Sequence, residues 1–107
     1  MYKTCLLLIL ASMAASAHAR EALASRYACV ACHQPATKTV GPSWNGIAAR
    51  YADGSKSAEQ LAASIKRGGS GNWGPVPMPA QVALSEADAL TLAKWVLGYR
   101  QPNHEQR

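Results

Sequence analysis

Two thiols and an imidazole fall within five consecutive residues, Cys29-Val30-Ala31-Cys32-His33, and this cluster constrains what the whole chain can fold around. The C-x-x-C-H spacing is the attachment signature of c-type haem. Its chemistry explains it. Two thiols separated by two residues on one helical turn reach the two vinyl groups of a porphyrin as thioethers, and the histidine that follows is carried under the iron as the proximal ligand. Three plainer readings compete. A zinc site needs a second pair of Cys or His ligands at finger spacing, and beyond the N-terminal segment the chain offers only His104, near its end. A thioredoxin-like dithiol sits at the start of a helix after a strand, which the helical pattern here does not provide. A structural disulfide leaves the fifth residue of the motif unexplained. Cys29 and Cys32 are therefore expected as haem thioethers, and His33 as an iron ligand.

The N-terminus carries the marks of a secretory signal. Lys3 supplies a positive n-region, Cys5 to Ala15 an apolar h-region, and Ala17-His18-Ala19 the small-x-small pattern that signal peptidase accepts. Cleavage is expected after Ala19, with export to the periplasm. The apolar run from Leu6 to Ala19 is shorter than the roughly 20 residues a spanning helix needs, so no stable membrane insertion is expected after cleavage. Loss of residues 1–19 leaves 88 of the 107, room for one domain with a modest core and too little for a multidomain enzyme. Ten basic against six acidic residues remain, a net charge of about +4. That mild balance suits transient docking on acidic protein surfaces. With no Lys/Arg cluster longer than Lys66-Arg67, nucleic acid is not an expected partner.

Strand signals are nearly absent, and the fold class expected is all-α, with about four short helices. Residues 21–32 read as a first helix. Gly41-Pro42 breaks the chain, and Ser43 to Tyr51 forms a short helix stopped by Asp53-Gly54. Ser57 and Gln60 make a capping box that opens a third helix, with Ala58, Leu61, Ala62 and Ile65 on its apolar face and Gly68-Gly69 at its end. The Gly- and Pro-rich stretch 68–83 is expected to hold no regular element. A last helix begins at Ser85, with an apolar stripe of Ala89, Leu92, Ala93 and Val96, and ends near Gly98. Trp44, Trp95 and Tyr99 read as core, with Trp95 meeting the first helix at Ala24 and Ala28. Four such helices make a poor core by themselves, so something apolar and bulky should fill the middle.

The sixth iron position falls to Met78, the only thioether left once the signal segment is removed. A methionine on a helix stripe would be a gap-filler. Met78 instead stands between Pro77 and Pro79, whose fixed φ angles hold one side chain in place without hydrogen-bonded backbone. A soft, neutral sulfur ligand favours ferrous iron and raises the potential, and it closes the site to exchangeable ligands. Both effects describe electron transfer rather than catalysis.

Cys29-Val-Ala-Cys-His33, Val40-Gly-Pro42, Trp73-Gly-Pro-Val-Pro-Met78-Pro and Leu92-Ala-Lys-Trp-Val-Leu97 together resemble the bacterial cytochrome c-551 group, the short class I cytochromes c, from about Leu23 to Leu97. The resemblance implies the small class I fold over residues 20–99, one covalent haem c, His33/Met78 ligation, and one-electron shuttling in the respiratory chain. It implies a membrane quinol-oxidising complex as donor, a terminal oxidase, nitrite reductase or peroxidase as acceptor, and a monomer. By the same resemblance the Pro42 carbonyl would accept a hydrogen bond from the second ring nitrogen of His33, and the Trp73 indole N–H would donate to a haem propionate. Two positions depart from the family pattern. Gln81 stands where an Asn often bonds the methionine sulfur, and Ser64 where an Arg often meets a propionate, with Arg67 one turn on. Residues 100–107 have no counterpart and read as a disordered tail.

The rival function from another class is a haem enzyme or gas-binding protein with five-coordinate iron. A di-haem peroxidase needs a second C-x-x-C-H, which the chain lacks. Cytochromes of the c-prime type carry the motif near the C-terminus, whereas here it is near the N-terminus.

Overall fold

In the computed structural model, the described residues are 18–100; most of the expected signal segment and tail lies outside them. Residues 18–26 form helix α1, followed by a single 3-10 turn at Cys29–Ala31, then α2 (Trp44–Arg50), α3 (Ala58–Arg67), a two-stranded ribbon of β1 (Gly69–Gly71) and β2 (Gly74–Met78), and α4 (Glu86–Leu97).

Serine caps start three of the helices. The Ser43 hydroxyl accepts from the Gly46 amide at 2.9 Å at the head of α2. At α3 both halves of the expected capping box are made: Gln60 N donates to Ser57 Oγ at 3.1 Å, and Ser57 N to Gln60 Oε1 at 2.9 Å. Ser85 Oγ accepts from Asp88 N at 3.1 Å at the head of α4. Each cap satisfies an amide that the helix leaves without a partner, which contributes ~1 kcal/mol. Glu59 near the start of α3 and Lys66 and Arg67 near its end also complement its dipole.

The expected stripe of α4 faces inward: Ala89, Leu92, Ala93 and Val96 are all buried, against Leu61 and Ala62 of α3, Trp44 and Ile47 of α2, and Leu84 and Ala24. Ala89 and Ala93 are fully buried, and so small a side chain lets neighbouring helices approach closely. Trp95 meets Trp44 and Tyr99 edge-on, at 5.2 and 5.3 Å between ring centroids.

Three expectations need correction. The first helix does not run on to residue 32. Ala28 takes a left-handed conformation (φ 60), which stops α1 and starts the tighter turn that carries the cysteines. For the same reason Ala28 lies exposed, outside any helix, and is no partner for Trp95, although Ala24 is in the core as expected. The stretch 68–83 does hold regular structure, for β1 pairs antiparallel with β2 in the register Gly69 to Met78 and Gly71 to Gly74. Gly71 and Gly74, at φ 99 and 114, make the tight reversal possible, and a two-stranded ribbon has free outer edges toward which prolines, lacking an N–H, can turn.

Candidate functional site

The backbone around the C-x-x-C-H motif is tied to the loop that follows it. The Cys32 carbonyl accepts from Gly41 N at 2.9 Å and from Thr39 Oγ1 at 2.9 Å, which folds residues 33–41 back on the motif. His33 is thereby buried, and its surroundings determine its proton. Nδ1 lies 2.7 Å from the Pro42 carbonyl oxygen. A carbonyl can only accept, so Nδ1 carries the hydrogen and Nε2 keeps a lone pair available to a metal. The ring stacks on Trp44 at 4.8 Å with an interplanar angle of 23°. Gly41 covers it so closely that a Cβ there would stand 2.8 Å from Cε1.

His33 opens onto a cavity of about 330 Å³, within the range of roughly 300–1,000 Å³ common for sites of small organic molecules. All six residues singled out from the sequence line it: Cys29, Cys32, His33, Pro42, Trp73 and Met78. Leu61, Leu92 and Val96 give it an apolar floor. No carboxylate stands among the lining residues, whose charged members are Lys56 and Arg67. Ser64 also lines it, its hydroxyl donating back to the Gln60 carbonyl at 3.1 Å.

At the mouth, Trp73 is 36% exposed and Val40 and Val76 more so. The Trp73 ring packs edge-on to Tyr51 at 6.2 Å, and the Arg50 guanidinium sits 4.3 Å above it. Arg50 Nη1 also donates to the Asn72 carbonyl at 2.5 Å, tying the end of α2 to the ribbon turn. Nothing in the sequence marks Arg50, whose place in the last turn of α2 suggests only a dipole partner. Trp44 is in the core as expected and has a second role, stacking on His33. Proximity to Gly41-Pro42 was the available signal for that stack.

Neither cysteine is in a disulfide. Burial pushes the Cys29 thiol up from its ordinary value, outweighing a smaller downward pull from its own backbone amide. A dithiol catalyst works with a depressed thiolate pKa, the opposite direction. Two thiols, an oriented imidazole with a free lone pair and a thioether around an apolar cavity fit a haem held through both sulfurs, and the cationic rim suits its carboxylates.

The comparisons with known proteins agree with this geometry. The family model described as Cytochrome c matches residues 19–99. Cytochrome c-552 of Nitrosomonas europaea is 51% identical over 85 residues, covering 79% of this chain and 82% of that protein. Cytochrome c-551 of Azotobacter vinelandii is 49% identical over 80 residues, covering 75% and 96%. The crystal structure of wild-type Nitrosomonas europaea cytochrome c552 superposes with a TM-score of 0.71 at 50% identity, covering 75% of this chain and 99% of that one. The chain thus belongs to the cytochrome c family, with the small all-α class I fold of the bacterial c-551/c-552 group. It is an electron carrier and not an enzyme.

Proposed function

We propose that the mature chain is a periplasmic carrier of single electrons, with one haem c joined to Cys29 and Cys32 and its iron held between His33 Nε2 and Met78 Sδ. The observation that carries this reading is the cavity itself, which gathers both thiols, the Nδ1-protonated His33 and Met78 around one apolar space. Bound haem supplies the ferric/ferrous couple. The protein's own part is to hold and insulate. Pro42 and Trp44 fix the His33 ring, and the hydrogen bond to Pro42 enriches the imidazole as a donor. Trp73 lines the mouth and would donate its indole N–H to a propionate there, where Lys56 and Arg67 would offset the negative charge. With both His33 and Met78 bound, the iron would have no open position for substrate, which suits one-electron transfer.

Export through a signal cleaved after Ala19, a working domain of residues 20–99 and a short tail from 100 complete the proposal. Its partners are redox proteins: a membrane quinol-oxidising complex as donor, and a terminal oxidase, nitrite reductase or peroxidase as acceptor. No helix among the described residues is long and apolar enough to cross a membrane.

The test is mass spectrometry and visible spectroscopy of protein exported with the haem-attachment machinery active. An N-terminus at Arg20, one added haem and the weak long-wavelength charge-transfer band of thioether-ligated ferric iron are expected. An intact haem-free chain with a Cys29–Cys32 disulfide overturns the proposal.

A further inference from the structure

Met78 stands on a strap whose neighbours are glycine and proline, and the backbone beneath it is set by the end of α3. Gly69 pairs with Met78 across the ribbon. Three residues past Met78, the Gln81 amide donates to the Lys66 carbonyl at 3.1 Å and to the Ile65 carbonyl at 3.4 Å, both in the last turn of α3. The Gln81 side chain reaches back, its Nε2 donating to the Pro79 carbonyl at 3.0 Å. Between these ties lies Gly68, the C-cap of α3, at φ 67 and ψ −167, a region of backbone space that is essentially glycine's alone. The missing side chain matters as much as the angle. A Cβ on Gly68 would stand 2.5 Å from the Met78 carbonyl oxygen, 2.7 Å from Ala80 N and 2.8 Å from the Pro79 carbonyl carbon. All three are backbone atoms, with no flexible side chain to swing aside.

We infer that Gly68 is a positioning residue for Met78: its bare Cα lets the strap seat against the end of α3, and that seating sets how far the sulfur reaches toward the iron. The inference rests on Met78 being the iron ligand. Ordinary contact distances would require residues 78–80 to retreat by roughly 1 Å to admit a methyl group. Pro77 and Pro79 fix φ on either side of Met78, so the shift moves the strap as a unit rather than dissipating in one soft torsion. A displacement of that size is enough to misplace a ligand.

Gly69 provides the control. It too has a positive φ, 148, but a Cβ there meets nothing within 4 Å. Gly69→Ala therefore imposes backbone strain in the same turn without pushing the strap. The experiment compares holoprotein of wild type, Gly68→Ala, Gly69→Ala and Gln81→Leu by the long-wavelength ferric band and by cyanide titration of ferric iron. Cyanide competes with the methionine, so its apparent affinity scales with the fraction of iron from which the sulfur is detached. Gly68→Ala should lose most of the band and bind cyanide about tenfold more tightly or better, with haem content and helical circular dichroism retained. Gly69→Ala should keep the band and stay within about threefold of wild type in cyanide affinity, and Gln81→Leu should fall between.

A band in wild type that Gly68→Ala leaves intact, with unchanged cyanide affinity, overturns the inference, as does an equal response from the two alanine variants. A wild type without the band instead overturns methionine ligation itself. Should Gly68→Ala fail to accumulate, Gln81→Leu decides, and a cyanide affinity equal to wild type counts against the inference.

Discussion

The two walls of the cavity are built by different physics. The histidine wall is side-chain architecture: the His33 ring is buried, stacked on Trp44, hydrogen-bonded to Pro42 and covered by Gly41, and Trp44 continues into the core through Trp95. The methionine wall is a thin ribbon whose middle residues, Pro75, Val76 and Pro77, are exposed, and it is tied to the rest by backbone contacts at Gly68 and Gln81. A buried cluster shares its stability with the whole core, whereas a strap with few buried contacts can open alone. The difference teaches that, of the two proposed iron ligands, His33 belongs to the global fold and Met78 to a local equilibrium.

Trp44→Ala tests the first half of that contrast and carries the largest expected effect. Truncating a buried tryptophan costs about 3–5 kcal/mol, and here it also removes the floor under the His33 ring. The urea midpoint of the holoprotein should fall accordingly. The long-wavelength ferric band should persist below the unfolding transition, because the strap is seated on α3 and not on Trp44. A band lost well before the fold would mean that the two walls are coupled.

Met78→Ala tests the second half. The proposed thioethers at Cys29 and Cys32 and the proposed His33 bond do not depend on the strap, so haem should stay attached while the iron opens. Cyanide affinity should rise about a hundredfold, worth ~2.7 kcal/mol, and the potential should drop by roughly 100 mV, since tenfold corresponds to 59 mV for one electron. Unchanged spectra and ligand affinity would make Met78 a packing residue and overturn its proposed place on the iron.

The histidine side was also the more legible in sequence, for the same physical reason. The motif at residues 29–33, the capping box of α3, the start of α4 at Ser85 and the α4 stripe rest on short-range rules, in which spacing along the chain fixes spacing in the fold. Elimination and its flanking prolines also single out Met78, which lines the cavity. What escaped depends on contacts between distant segments. The ribbon pairing of Gly69 with Met78, the Arg50 guanidinium over Trp73 and the fit of Gly68 beneath residues 78–80 leave no periodic trace. Ala28 failed for a different reason. Alanine is the best helix former, and only the geometry of the following turn overrides that propensity.

The smallest expected effect concerns what the exposed strap meets. Val40, Trp73 and Val76 are exposed at the mouth, and with Pro75 and Pro77 they form a largely apolar surface. Lys66 and Arg67, at the end of α3 beneath the strap, and Lys38, in the loop before Val40, supply positive charge around it. Such a surface should bind an acidic redox partner briefly, the charges speeding encounter and the apolar centre completing the contact. Single exposed charges contribute little to stability, so their effect should appear in rates. Raising ionic strength shortens the Debye length, ~10 Å at 0.1 M and ~3 Å at 1 M, and should slow second-order electron transfer to an acidic partner by a few-fold across that range. Lys38→Gln with Lys66→Gln, neither of which lines the cavity, should flatten the salt dependence and leave the high-salt rate unchanged. A wild-type rate that is flat or rises with salt would mean that the strap docks by its apolar surface alone and that these cations serve solubility.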